Sequence, residues 1–142
     1  MQVSFTRLDK ELPTPRRSHP GDAGADLFAR EAVVLQPGER ALVPTGIAVA
    51  VPDGFAGFVV PRSGLAISDG IGVVNGPGLI DAGYRGEVKV VLINHGSKAV
   101  QIDRSDRIAQ LVVVPVASWE FVETETLPAT SRGGGGFGST GR

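Results

Sequence analysis

Asn75-Gly-Pro-Gly-Leu-Ile-Asp-Ala-Gly-Tyr-Arg-Gly-Glu-Val-Lys89 is the stretch whose reading decides the fold. Four glycines and a proline crowd it, which is turn chemistry rather than helix chemistry. It follows the apolar pair Val73 and Val74 and runs into the strongest strand signal of the chain, residues 88–93. The local reading is therefore a glycine-rich β-hairpin. Such a hairpin exposes backbone N–H and C=O groups, because little side chain covers them. Those groups can read the edge of a small planar ligand. Asp81 and Tyr84, the only tyrosine, lie within the same turn.

Outward from this stretch the pattern repeats. Short runs of Val, Ile, Leu and Phe alternate with turn residues. They predict strands around Val3 and Phe5 and over residues 25–29, 32–35, 41–44, 46–51, 55–60, 71–74, 87–94, 99–102, 108–116 and 119–122. Residues 12–22 read as an irregular connection. Residues 63–67 form the one expected helical turn. With 20 glycines and 10 prolines no long helix survives. An all-β domain of sandwich, barrel or jelly-roll type is expected.

At 142 residues the chain is one domain, able to bury a core without disulfides. It has no cysteine, which excludes disulfides, thiolate metal sites and cysteine nucleophiles. A net charge of −1 with scattered signs lacks the basic footprint of a nucleic-acid binder. His19 and His95 are too few and too far apart for a histidine metal site. No apolar run reaches membrane-spanning length, and no signal-peptide pattern follows Met1, so a cytoplasmic protein is expected.

From residue 127 the composition changes. Arg132-Gly-Gly-Gly-Gly-Phe-Gly-Ser-Thr-Gly-Arg142 cannot build a core, and residues 127–142 read as a mobile arm after a β domain at 1–126. Arginine pairs with phosphate, phenylalanine stacks on a base, and glycine backbone with hydroxyls cradles oxyanions. Residues 133–139 nearly spell a phosphate-binding P-loop, but serine stands where the lysine belongs, and the strand–helix context is missing.

Five segments in order make a specific set: Ala23-Gly-Ala-Asp-Leu27, Pro61-Arg-Ser-Gly-Leu-Ala66, Asn75 through Lys89, Asp106-Arg-Ile-Ala-Gln110, and Arg132 through Gly141. The chain resembles the trimeric dUTPases nearly end to end. The resemblance implies a jelly-roll-like subunit of the β-clip kind and a homotrimer with three sites shared between subunits. It implies hydrolysis of dUTP to dUMP and pyrophosphate, which keeps uracil out of DNA and supplies dUMP for dTMP synthesis.

The same resemblance assigns roles. Asp81 would orient and deprotonate the attacking water. A carboxylate is a weak base at its reference pKa of about 3.9, so positioning and charge neutralisation must share the work. Mg²⁺ across the phosphates is the implied cofactor, with Asp26 holding it through water. Arg62, Ser63 and Gly64 would bind phosphates. Arg132, Gly138, Ser139 and Thr140 would clamp them from the arm, with Phe137 stacked on uracil. Asn75 and the backbone at Leu79, Ile80, Asp81 and around Lys89 would read the uracil edge. Tyr84 would exclude a ribose 2′-hydroxyl. Gln110 would support the water or the Asp81 loop, and Arg107 a loop or subunit contact. The rivals are dCTP deaminase or its bifunctional relative, and a non-catalytic nucleotide-binding β module.

Overall fold

Short apolar runs between turns become ten strands and one helix in the computed structural model, which describes residues 1–136. In chain order these are β1 (Ser4–Arg7), β2 (Gly24–Phe28), β3 (Val33–Leu35), β4 (Arg40–Ala50), β5 (Phe55–Val60), α1 (Ser63–Asp69), β6 (Ile71–Val73), β7 (Gly78–Ile80), β8 (Glu87–Asn94), β9 (Val100–Ile102) and β10 (Arg107–Pro115). One four-stranded sheet has the order β1-β4-β8-β6, a second the order β2-β10-β5-β7, and β3 pairs with β9. Every pairing is antiparallel. The architecture is the expected jelly-roll-like all-β fold.

The alternation seen in sequence drives the packing. Along β8, Val88, Val90, Leu92 and Asn94 point inward while Lys89 faces out. Val43, Ile47 and Val49 of β4 meet them, with Leu27, Ile108 and Leu111 from the other sheet. Each fully buried aliphatic side chain stabilises by roughly 1.5–3 kcal/mol. Asn94 is the polar exception. Its amide donates to the Leu35 carbonyl at 2.8 Å and the Lys98 carbonyl at 2.7 Å, and its oxygen accepts the Gly96 N–H at 2.8 Å. So satisfied, it costs little to bury and fixes the turn that follows β8.

Three local expectations are corrected. The runs at 41–44 and 46–51 are one strand, β4, interrupted by a bulge: Pro44 pairs with Lys89 and Ala48 with Glu87. Side chains replace the lost ladder there. Thr45 donates its hydroxyl to the Val88 carbonyl at 2.6 Å, and the Glu87 carboxylate accepts the Gly46 N–H at 2.9 Å. Gly46 has φ +71°, and its carbonyl accepts the N–H groups of Leu8 and Asp9. Asp9 in turn meets Arg104 at 2.7 Å and Arg30 at 3.5 Å. The Arg104 hydrogen bond, above all, holds the Asp9 carboxyl down at about 2.

Second, the run 75–89 is not a hairpin. β7 pairs with β5 in one sheet, and β8 with β4 and β6 in the other. The glycines and proline serve a crossing from sheet to sheet and back, not a turn between paired strands. Third, residues 119–122 form no strand. Trp119 and Phe121 stack edge-on at 4.7 Å but are largely exposed, and the hydrogen bonds found over residues 117–136 are internal to that segment. A strand needs a partner edge, and the described residues of the chain offer this segment none.

Candidate active site

The crossing builds a cavity. After β6 the chain passes Asn75, runs out along β7, turns at Asp81 and returns on β8. The walls of the resulting cavity, ≈ 550 Å³, include Asn75, Gly78, Leu79, Ile80, Tyr84, Gly86, Glu87 and Lys89. That volume suits a nucleoside. Of the expected base-reading residues, Asn75, Leu79, Ile80 and Lys89 are thus brought together, with Asp81 next in the chain to Ile80. Ile80 turns its side chain into the core, so only its main chain can meet a ligand, whereas Leu79 is exposed.

The Asp81 turn is rigidly made. The Tyr84 N–H donates to the Asp81 carbonyl at 3.0 Å. Arg85 then folds back and donates to the carbonyls of Ala82 at 2.6 Å and Tyr84 at 2.8 Å. The Tyr84 hydroxyl donates to the Glu87 carbonyl at 2.9 Å. The Asp81 side chain is exposed, with no hydrogen-bond or ion-pair partner found among the described residues. The turn therefore presents a free carboxylate on a fixed backbone.

A second cluster sits elsewhere on the subunit. Arg62 Nε lies 3.2 Å from one Asp26 oxygen and Arg107 3.5 Å from the other. Arg62 also donates to the Arg107 carbonyl at 3.0 Å. Gln110 lies opposite Asp26 across β10 and β2, and its amide donates to the Pro61 carbonyl at 3.1 Å. Gly24 leaves the room for it: a Cβ there would stand 2.5 Å from the Gln110 oxygen. Ser63 and Gly64 open α1, where backbone N–H groups lack helical acceptors. The far end of α1 is pinned by Gly70, with φ +70° and its carbonyl accepting the His95 N–H at 2.9 Å.

The two clusters do not meet in one cavity. β2, which carries Asp26, and β7 are opposite edges of their sheet, three strand spacings or about 14 Å apart, whereas Arg62, Ser63 and Gly64 follow β5, the strand beside β7. Asp26 lines cavities with Ser18 and with either Arg107 or Gln110, not the cavity of Asn75 and Tyr84. Gln110, expected to support the water or the Asp81 loop, donates within the subunit to the Pro61 carbonyl, beside Asp26. A further cavity of ≈ 420 Å³, near Val3, Phe5, Ile47 and Val113, is apolar apart from Arg16 and Arg17 and carries none of these groups.

Among the described residues no three His, Cys, Asp or Glu side chains converge to hold a metal. Both Asp26 oxygens face arginines, which leaves neither free for direct coordination of a metal ion. Arg132 bonds its own turn, donating to the Gly135 carbonyl at 2.8 Å. Phe137, Gly138, Ser139 and Thr140 lie outside the described residues. Sequence reasoning missed the supports: Arg85, Gly86 and Glu87 behind Tyr84, and the clasp of Arg107 on Asp26. The only signal for the first three was their place in the glycine-rich run.

Known proteins resemble this chain in sequence and in fold. The family model described as dUTPase matches residues 10–141. A deoxyuridine 5′-triphosphate nucleotidohydrolase of Thermobifida fusca (strain YX) is 58% identical over 142 residues, covering 99% of this chain and 79% of that protein. One from Corynebacterium diphtheriae is 55% identical, covering 98% of this chain and 92% of the other. Among solved structures, Staphylococcus bacteriophage 80alpha dUTPase with dUPNHPP superposes with a TM-score of 0.91 at 31% identity, over 99% of both chains. A mutant dUTPase from phage phi11 of S. aureus, whose structure is described as revealing the coordination of a structural Mg(II) ion, superposes with a TM-score of 0.81 at 29% identity, over 89% of this chain and 98% of that one.

Proposed function

The chain belongs to the dUTPase family and is a dUTP diphosphatase, and from that premise we propose that it hydrolyses dUTP by attack of an Asp81-activated water on the α-phosphorus. The observation that carries this reading is the free Asp81 carboxylate on a braced turn between Ile80 and Tyr84, two residues that line a nucleoside-sized cavity. Asn75 and the backbone of Leu79, Ile80 and Asp81, with that around Lys89, take the uracil edge. Cytosine would leave buried groups unpaired there, which is a strong ground for rejection. A tight backbone wall excludes the thymine methyl. Tyr84 lies against the deoxyribose and leaves no room for a 2′-hydroxyl.

Arg62, Ser63 and Gly64 hold the phosphates, with Gln110 and Arg107 fixing the loop and the Arg62–Asp26 pair. Asp26 would hold Mg²⁺ through water, and the ion would supply positive charge that masks the phosphates against an incoming nucleophile. Because Asp26 and Arg107 line a different cavity of the subunit from Asn75 and Tyr84, we read each site as assembled from different subunits of a homotrimer. The arm, residues 127–142, then closes the site with Arg132, Phe137, Gly138, Ser139 and Thr140. The role is cytoplasmic removal of dUTP, which keeps uracil out of DNA and yields dUMP for dTMP synthesis.

Pyrophosphate and ammonia release from dUTP, dCTP, dTTP and UTP test the specificity. Pyrophosphate from dUTP alone is the expected result. Ammonia from dCTP would put the bifunctional deaminase in its place, and binding without release would leave only a nucleotide-binding module.

A further inference from the structure

We propose that Gly86 determines sugar specificity, because its missing side chain is the seat on which the Tyr84 ring rests. This deepens the reading of Tyr84 given above and depends on it. A Cβ on Gly86 would lie 2.5 Å from the Tyr84 hydroxyl oxygen, 2.7 Å from Cζ and 3.0 Å from Cε2. A methyl group and the ring cannot share that space. Gly86 does not adopt a positive φ, so the backbone makes no demand for glycine here. The demand is for room.

The ring is tied down at its far end. Its hydroxyl donates to the Glu87 carbonyl at 2.9 Å. Glu87 is itself anchored, its carboxylate accepting the Gly46 N–H at 2.9 Å and Arg30 at 3.3 Å. Tyr84 and Gly86 line the same cavity as Asn75, Leu79 and Lys89. The group that must yield to a Cβ is the end of a side chain that is 44% exposed. An alanine therefore moves the ring and leaves the fold intact. With the ring displaced, the wall against a 2′-hydroxyl is gone.

The test compares kcat/KM for dUTP and UTP in wild type, Gly86→Ala, Tyr84→Ala and the double variant. Gly86→Ala is expected to raise UTP use relative to dUTP by about tenfold or more. Tyr84→Ala should do the same, and adding Gly86→Ala to it should change the ratio no further. Tyr84 is the single tyrosine, so fluorotyrosine labelling gives one fluorine resonance, and Gly86→Ala should shift it without substrate present. An unchanged ratio in Tyr84→Ala would sink the reading of Tyr84. A relaxed ratio there, with Gly86→Ala silent in both assays or equally effective without Tyr84, would overturn the Gly86 proposal alone.

Discussion

Asp81→Ala is expected to lower kcat for dUTP by about 10²–10⁴-fold, the range for losing a positioned general base. Affinity for a non-hydrolysable dUTP analogue should change far less. The reason lies in how the residue is held. Its carbonyl closes the turn to the Tyr84 N–H, and that bond survives the substitution. Arg85 braces the same turn through the carbonyls of Ala82 and Tyr84, which alanine also leaves alone. Only an exposed carboxylate is removed, one that makes no ion pair found among the described residues. The fold should therefore persist, and single-turnover kinetics beside calorimetric binding separate chemistry from affinity. A variant that still turns over within a few-fold of wild type would remove Asp81 from the chemical step.

Arg62→Ala should be comparably damaging, with kcat/KM down about 10²–10³-fold, as for loss of a preorganised charge at a developing oxyanion. Asp26 holds its guanidinium at 3.2 Å and the Arg107 carbonyl fixes a second nitrogen at 3.0 Å, so its direction is set before substrate arrives. Arg62→Lys keeps the charge but loses the planar fork, and little rescue is expected. If Arg62 and Asp81 serve one site from different subunits, mixed trimers of Arg62→Ala and Asp81→Ala contain some sites with both groups intact. Co-expression of the two inactive chains should then recover part of the activity. Mixtures as inactive as their parents would place both residues in the same subunit's contribution and refute the shared site.

Much of this was legible in the sequence where the determinants are local. The strand over residues 55–60 and the alternation of β8 are set by neighbours two residues apart, and both form as read. The bulge in β4 was not legible, because it depends on Glu87 and Val88, more than forty residues away. The glycine-rich run looked like a hairpin because composition reports turning but not which sheet each side joins. The segment at 119–122 has the hydrophobicity of a strand and lacks the pairing edge that would make it one. The five sequence segments named the residue types at the site. What they could not show was the clasp joining Asp26, Arg62 and Arg107, which bridges strands far apart in the chain, or the contact between Gly86 and Tyr84, which is a matter of ångströms.

Hydrolysis in water enriched in the heavy oxygen isotope tests the central claim most directly. Mass spectrometry of the two products locates the incorporated atom. Attack on the α-phosphorus predicts the label in dUMP and none in pyrophosphate. Label in pyrophosphate would mean attack at the β-phosphorus, and the account of Asp81 and its water would be wrong.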